Sequence, residues 1–202
     1  DRRQRQMCIR DRYMDLGRVS WADDRGIRQS RLYAISAGIG FDALVCELAL
    51  HAKLKTFLNR IGLGKLVYLI LTVKSMRALQ VQDAYIEFEG GESYELKDMV
   101  FAAAMNQPYE GGGVPMAPDA KNDDGLLSVI FVEDIPKKKM PRMLLRLLLK
   151  KHKKIQGLRL KDTKSVRIHS DTPLVVHSDG EFCGYRTDIR FEAEKGKLRI
   201  LC

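Results

Sequence analysis

The chain has 202 residues, of which 45% are hydrophobic and 30% are charged, a composition typical of a folded globular protein. Its net charge of +9 predicts an anionic partner, which could be nucleic acid, nucleotide phosphates or an anionic membrane surface. Four cysteines without Cys-x-x-Cys spacing and four scattered histidines argue against a zinc site and a disulfide framework, and favour a reducing cytoplasm. No apolar run has the length needed to span a bilayer.

The first twelve residues hold five arginines and lack the apolar stretch of a signal peptide. We interpret residues 1–12 as non-native sequence or as a disordered basic arm. Residues 13–202 are then expected to form one domain, because a chain of this length can enclose one substantial core.

Short predicted strands, separated by turns that contain glycine and aspartate, dominate the rest of the chain. Alternating or continuous apolar residues predict strands at Arg31–Ala37, Val81–Phe88, Ser93–Leu96, Met99–Met105, Leu126–Val132, Ser165–His169, Leu174–His177, Thr187–Ala193 and Leu198–Leu201. Turns are predicted at Gly38-Ile39-Gly40 and Gly90-Gly91, and helices at Asp42–Leu58, Gly64–Leu79 and Lys137–Lys154. This order indicates a mainly β, α+β fold, a two-layer β-sandwich with inserted helices.

Two acidic turns, Asp123-Asp124-Gly125 and Asp179-Gly180-Glu181, lie beside predicted strands. A carboxylate held on such a turn can take a proton from a hydroxyl group or help to bind Mg²⁺. The alternative for each is an ordinary solvated Asp-Gly turn. Gly111-Gly112-Gly113 matches neither a P-loop nor a dinucleotide fingerprint, so it indicates either a close backbone approach to a partner or a flexible loop.

Three segments, in this order, resemble the C-terminal half of the soluble diacylglycerol kinase and sphingosine kinase superfamily, especially its bacterial lipid kinases. They are Gly38-Ile39-Gly40-Phe41-Asp42-Ala43, the segment from Tyr109 to Val129, and Asp179-Gly180-Glu181. The resemblance extends from about Asp15 to Leu201. It implies the β-sandwich domain of a lipid kinase, separate from the N-terminal domain that binds ATP, whose Gly-Gly-Asp-Gly-Thr-like loop does not occur in this sequence.

The resemblance also implies roles for individual residues. Glu181 corresponds to the catalytic base, with Asp179 as a supporting acid. A structural Mg²⁺ would be bound by the Asp124 carboxylate and the carbonyls of Lys121 and Leu126, although Asp123 could take the place of Asp124. Asp42 is either a helix N-cap or a hydrogen-bonding partner of a substrate headgroup. The backbone of Gly111, Gly112 and Gly113 would approach the substrate at the cleft between domains.

The segment from Lys137 to Lys154 combines nine lysines and arginines with an apolar stripe. That stripe comprises Met140, Met143, Leu144, Leu147 and Leu148. This pattern is typical of a helix that lies on an anionic membrane, but also of a solvated face above an ordinary core stripe. Nucleic-acid binding is disfavoured because no aromatic residues interleave with these charges.

The resemblance implies part of an ATP- and Mg²⁺-dependent lipid kinase that phosphorylates a lipid hydroxyl, such as that of diacylglycerol, to give phosphatidic acid. We expect it to be cytoplasmic and peripheral at the inner face of the membrane, and we expect this chain alone to be inactive. An NAD kinase-like enzyme and a non-catalytic lipid-binding module are the alternatives. Homodimer formation is left open.

Overall fold

The computed structural model describes residues 12–23, 25–51 and 74–200. Within these ranges the strands are β1 Arg12–Ala22, β2 Arg28–Tyr33, β3 Ser36–Gly40, β4 Gln82–Phe88, β5 Ser93–Met99, β6 Phe101–Met105, β7 Leu127–Val132, β8 Leu158–Thr163, β9 Ser165–Ser178 and β10 Glu181–Ile200. The helices are α1 Phe41–His51 and α2 Met140–Leu148, and residues 74–78 are also helical. None of the described helices is long and apolar enough to cross a bilayer.

The strands pair antiparallel in the order β2-β1-β10-β9-β3-β6-β7-β8. The long strand β9 carries different partners along its length: residues Val166–His169 pair with β4, whereas Val176–Ser178 pair with β3. Its other edge follows β10, with register shifts between Phe182 and Gly184 and between Arg186 and Asp188. Such irregularities bend strands. The bends allow β9, with β10 along its other edge, to pair with β4 at one end and with β3 at the other. The result is the mainly β fold that the sequence predicts.

Two apolar clusters lie on opposite faces of β6 and β7. In β6, Ala102 and Ala104 pack into the cluster enclosed by the strands, whereas Phe101, Ala103 and Met105 pack into the cluster covered by α2. Both faces of β6 are therefore buried. This explains why its sequence is a continuous apolar run and not an alternating one.

The predicted boundary between the second and third strands is wrong. A single strand was expected over Arg31–Ala37, followed by a turn at Gly38-Ile39-Gly40, but the chain turns at residues 34–35 and β3 contains all three of those later residues. Gly38 pairs with Ala103 on one side and His177 on the other. A Cβ at Gly38 would overlap the Asp42 carboxylate and lie 2.9 Å from His177 Nε2, so glycine here serves close packing within a strand.

The C-terminal strands are longer than predicted. Ser165–His169 and Leu174–His177 belong to the single strand β9, and the two last predicted strands belong to the single strand β10. Gly184 and Gly196 have positive φ angles of 93° and 63°, which interrupt the apolar alternation without ending the strand. The strands β1 and β8 were not predicted.

The basic segment is not one helix. Only Met140–Leu148 is α-helical, and 3₁₀ turns lie before it at Lys137–Lys139 and after it at His152–Lys154. Lys150, between the α-helix and the second 3₁₀ turn, has a positive φ of 55°, which interrupts the helical backbone there. The first two predicted helices are partly seen as α1 and residues 74–78. The remainder of both predictions, residues 52–73, lies outside the described residues.

Candidate active site

The Asp179-Gly180-Glu181 segment is a two-residue hairpin turn between β9 and β10. Asp179 and Gly180 have φ angles of 48° and 82°, and Ser178 pairs with Glu181 across the turn. Two consecutive left-handed residues are the requirement of a type I′ turn, which accounts for the Asp-Gly sequence. The turn places Glu181 at the first position of β10, where its side chain is exposed.

The Asp179 carboxylate is hydrogen-bonded to the backbone between β2 and β3. It accepts hydrogen bonds from the amides of Ala34, Ile35 and Ser36 at 2.7, 2.8 and 3.1 Å. The Asp179 amide in turn donates to the Ser36 carbonyl at 2.8 Å. Asp179 therefore anchors this turn to the connection between β2 and β3. Asp179 and Glu181 are both exposed, but the Asp179 carboxylate is held by backbone amides.

Directly behind the turn lies a cluster of three ionisable side chains. His177 Nε2 is 3.0 Å from Asp42 Oδ2 and 3.6 Å from Glu110 Oε1. His177 and Asp42 are buried to 1% and 9% side-chain exposure, and Glu110 to 18%. Ser36 Oγ donates to Glu110 Oε1 at 2.5 Å. One buried polar site is thus formed where three elements meet: helix α1, the loop before the three glycines and the end of β9.

Burial and mutual charge determine the protonation of this cluster. Burial raises the pKa of Glu110, an effect partly offset by the charge of His177. Burial alone would lower the pKa of His177, but the charge and hydrogen bond of Asp42, together with the charges of Glu110 and Asp179, raise it overall. Both shifts favour the protonated forms, as expected when several carboxylates share one buried histidine.

The cluster has the ligand types for a divalent cation, since one ligand atom from each of Asp42, Glu110 and His177 lies within 4.8 Å of the other two. The hydrogen bonds favour a different arrangement. The Gly180 amide donates to His177 Nδ1 at 3.3 Å, which requires a lone pair on Nδ1. The proton of the neutral ring is then on Nε2, where it is donated to Asp42, and that nitrogen cannot bind a metal in the same tautomer.

Asp42 does not act as the predicted N-cap. It is the second residue of α1, in the first turn, where the helix dipole favours a negative charge. Its Oδ1 accepts the amide of Ala43 at 2.8 Å and its Oδ2 faces His177. The structure therefore assigns Asp42 to the buried cluster.

The glycine-rich loop connects this cluster to the basic segment. Gly111–Gly113 form a 3₁₀ turn that is closed by a hydrogen bond from the Glu110 amide to the Val114 carbonyl. Tyr109 accepts a hydrogen bond from Lys150 Nζ at 2.7 Å, and His152 Nε2 lies 2.9 Å from the Pro115 carbonyl oxygen.

The acidic loop that contains Asp123 and Asp124 is anchored by a residue from β1. The buried Asp15 carboxylate accepts the amides of Gly125 and Gly196, each at 2.6 Å. Asp124 Oδ1 accepts the Leu126 amide at 3.0 Å, and both Asp123 and Asp124 are exposed.

The acidic loop fits the predicted Mg²⁺ site in chemistry. Asp124 is an exposed carboxylate, and the predicted ligands Lys121 and Leu126 would contribute backbone carbonyl oxygens. Mg²⁺ prefers such oxygen ligands and usually keeps several waters.

Sequence reasoning placed Asp42, Asp179 and Glu181 at the site, and the structure brings all three to one region. Glu110, His177 and Asp15 were not predicted from the sequence. Two of them had a signal that could have identified them: Glu110 stands beside three glycines, and His177 lies two residues before Asp179, both in segments already singled out.

Comparison with known proteins gives the family. Residues 35–202 match the family described as the YegS C-terminal NAD kinase beta sandwich-like domain. The proposed lipid kinase YtlR of Bacillus subtilis strain 168 is 28% identical over 189 residues, which is 94% of this chain and 60% of YtlR. A diacylglycerol kinase of Mycobacterium tuberculosis strain H37Rv is 25% identical over 170 residues, which is 84% of this chain and 50% of that protein.

A solved structure shows the same fold. The crystal structure of a proposed diacylglycerol kinase from Bacillus anthracis str. Sterne has a TM-score of 0.63 and 18% identity, covering 94% of this chain and 56% of that one. This chain spans about 60% of the length of YtlR and half the length of the Mycobacterium tuberculosis diacylglycerol kinase. The family match covers most of the chain and agrees with the fold and with the predicted resemblance, so the chain belongs to the YegS C-terminal NAD kinase beta sandwich-like domain family.

Proposed function

We propose that this chain is the lipid-facing part of an ATP- and Mg²⁺-dependent lipid kinase that phosphorylates a lipid hydroxyl, such as that of diacylglycerol. The family and the names of the relatives support a kinase. An exposed apolar surface on α2 is the observation that favours a lipid over a soluble nucleotide such as NAD as the phosphoryl acceptor.

Helix α2 has apolar residues on two faces. Met140, Met143 and Leu147 are buried in the core below it. Leu145 and Leu148 of α2, and Leu149 directly after its last residue, are 56%, 49% and 53% exposed. Residues at this spacing occupy one helical face, and we call these three residues the leucine ridge. Adjacent exposed leucines of this kind mark surfaces that contact proteins or membranes.

Exposed basic residues flank the leucine ridge on both sides in sequence. They are Lys137, Lys138, Lys139, Arg142, Lys150, Lys151, Lys153 and Lys154. Basic residues beside an apolar surface complement an anionic membrane, where each Lys or Arg near the surface contributes about 1 kcal/mol. An acceptor that is dissolved in water would need no such surface, whereas a lipid hydroxyl must be reached at the bilayer.

The leucine ridge is linked to the candidate site through the glycine-rich loop. Lys150, next to Leu149, binds Tyr109, which immediately precedes Glu110 of the buried cluster. A membrane bound to the ridge would therefore lie beside the loop that leads to the catalytic turn. This supports a peripheral association at the inner, anionic leaflet.

The proposed reaction transfers the γ-phosphoryl group of ATP to the lipid. The lipid hydroxyl oxygen forms a bond to the γ-phosphorus, the bond to the oxygen that bridges the β- and γ-phosphorus breaks, and ADP leaves. Glu181 takes the hydroxyl proton, a role that suits an exposed carboxylate on a rigid turn. Mg²⁺ would stabilise the negative charge of the phosphates.

Membrane docking can be tested on this chain by co-sedimentation with phosphatidylglycerol vesicles. Combined replacement of Leu145, Leu148 and Leu149 by serine should lower binding roughly tenfold or more, because the apolar contact is lost. Serine at Leu32 and Leu160, which are also exposed, is the matched control and should leave binding unchanged. Binding of the wild type should fall as salt rises.

Equal sedimentation of the ridge variant and the wild type at low salt would contradict membrane docking. The reaction itself requires the full-length protein that contains this chain, assayed with labelled ATP and either diacylglycerol or NAD. Glu181→Gln should lower kcat by about 10²–10⁴-fold without a change in KM for ATP. Turnover of NAD but not of diacylglycerol would instead establish the alternative enzyme.

A further inference from the structure

The buried cluster is joined to the catalytic turn by one hydrogen bond, from the Gly180 amide to His177 Nδ1. We propose that His177 is a positioning residue: it fixes the Gly180 amide, and with it the orientation of Glu181, while Asp42 fixes the His177 ring. We call the unit formed by Asp42, His177 and the Gly180 amide the His177 latch. The proposal rests on the proposed function of Glu181 as the base.

The geometry around His177 leaves its ring one orientation. The side chain is almost fully buried in the last residues of β9, and Nε2 is held 3.0 Å from Asp42 Oδ2. Gly38 lies against the same pair, in register with His177, and leaves no space for a Cβ. A ring held in this way presents Nδ1 toward the turn, three residues further along the chain, where it accepts the Gly180 amide.

The turn therefore has two independent anchors on its two sides. The Asp179 carboxylate binds the amides of residues 34–36, and His177 Nδ1 binds the Gly180 amide. Glu181 follows Gly180 directly. Because a base must be held within hydrogen-bond reach of the proton that it removes, loss of either anchor would misplace the Glu181 carboxylate.

Protonation of His177 opens the latch. A proton on Nδ1 would face the Gly180 N–H, so the hydrogen bond would be replaced by repulsion between two donors. Three carboxylates act on the ring: Asp42 from α1, Glu110 from the loop before the glycines, and Asp179 from the turn itself. Their combined effect raises the pKa of His177, so the latch is expected to open as pH falls through a midpoint above the ordinary pKa of histidine.

Two isosteric variants separate the two nitrogens of the ring. In His177→Asn, the amide oxygen can occupy the position of Nδ1 and still accept the Gly180 amide. In His177→Gln, the amide nitrogen can occupy the position of Nε2 and still donate to Asp42, but nothing replaces Nδ1. Both keep a polar side chain in the buried site, so they differ mainly in the contact to Gly180.

The experiment is NMR spectroscopy of this chain, labelled with ¹⁵N, between pH 5.5 and 8.5. In the wild type, the Gly180 amide resonance should titrate with the same midpoint as the His177 ring. The protection of the Gly180 amide from hydrogen exchange, measured against the intrinsic exchange rate at each pH, should be roughly three- to tenfold lower when the latch is open, the factor expected for one modest hydrogen bond. His177→Asn should keep the higher protection without a pH step, and His177→Gln should show the lower protection throughout.

The Gly196 amide is the internal control, since it also donates to a side chain, Asp15 Oδ1. It should not follow the His177 midpoint. A Gly180 amide that stays unchanged through the titration of His177, or equal exchange in the Asn and Gln variants, would overturn the proposal. The wild-type titration decides this even if a variant does not fold.

Kinetics in the full-length protein separate this proposal from the proposed function. His177→Asn should retain most of kcat and lose the decline of kcat at acidic pH, whereas His177→Gln should lose kcat with KM for ATP unchanged. If the NMR result holds but the wild type phosphorylates no lipid, the latch stands and the lipid kinase assignment fails.

Discussion

Asp15 and Gly125 are 110 residues apart in the sequence, and the Asp15 carboxylate accepts the Gly125 amide at 2.6 Å. The same carboxylate accepts the Gly196 amide, so one buried side chain of β1 joins the acidic loop to the end of β10. The Asp15 amide also donates to the Asn122 carbonyl. Asp15 of β1, which is distant in sequence, thus fixes the shape of the acidic loop.

Asp15→Ala should lower the free energy of unfolding by roughly 2–4 kcal/mol, because it leaves two amides without their charged acceptor. Asp15→Asn should have an intermediate effect, since it keeps one acceptor oxygen. Urea denaturation gives both values. The exposed residue Asp123 is the control, and its replacement by alanine should change stability by no more than about 0.5 kcal/mol.

Asp124→Ala should abolish the stabilisation of this chain by Mg²⁺ if the acidic loop binds the ion through that carboxylate. A ligand that binds only the folded state raises the melting temperature by mass action. Thermal unfolding with and without Mg²⁺ is the measurement, and Asp123→Ala should keep the wild-type response. The reverse pattern would place the ion on Asp123, and no Mg²⁺ response in the wild type would remove the site.

The stability of the chain should fall as pH rises above the ordinary pKa values of glutamate and histidine. In the folded state the pKa of Glu110 is raised by burial, and that of His177 is raised by Asp42 and its neighbours. With these two groups the folded state binds more protons than the unfolded state in this range, so their contribution to stability is fully present below their unfolded pKa values and is lost as pH rises through the raised ones.

Glu110→Gln should reduce this decline and make the protein more stable than the wild type at pH 8, because no buried carboxylate has to ionise. Urea denaturation at pH 5.5 and pH 8.0 measures the difference. Glu95→Gln, at an exposed residue, is the control. An unchanged slope in Glu110→Gln would mean that Glu110 is not buried with His177.

Gly38→Ala should destabilise the fold by about 1–3 kcal/mol, the usual cost of overpacking. The added Cβ would overlap the Asp42 carboxylate and lie 2.9 Å from His177 Nε2. Gly111→Ala is the matched control, since no neighbouring atom lies within 4 Å of a Cβ there. Equal stabilities of the two variants would show that Asp42 and His177 do not pack against β3.

The strands with an unbroken pattern were predictable from sequence. Val81–Phe88 and Leu126–Val132 were predicted, and the structure has Gln82–Phe88 and Leu127–Val132. Prediction failed where glycine has a role other than a turn. Gly38 gives space to the buried side chains of Asp42 and His177, and Gly184 and Gly196 lie within β10, so sequence rules for turns cut these strands in the wrong places.

The candidate site was predictable only where its residues belong to a contiguous motif. Asp179 and Glu181 are neighbours in sequence. By contrast, Glu110 and His177 are 67 positions apart by their numbers and meet because β3 lies between β6 and β9. The role of Asp15 depends likewise on the pairing of β1 with β10. Contacts of this kind follow from topology, which a local pattern does not contain.

The pairing of β1 with β10 also determines where this domain can be cut. The family match begins at residue 35, after β1 and β2. A chain trimmed to that position would leave most of a 20-residue strand with an open edge, along Ile189–Ile200. Open edges of that length pair readily with other chains. Truncation at the family boundary should therefore give an aggregating protein, whereas a chain that retains β1 keeps this edge covered.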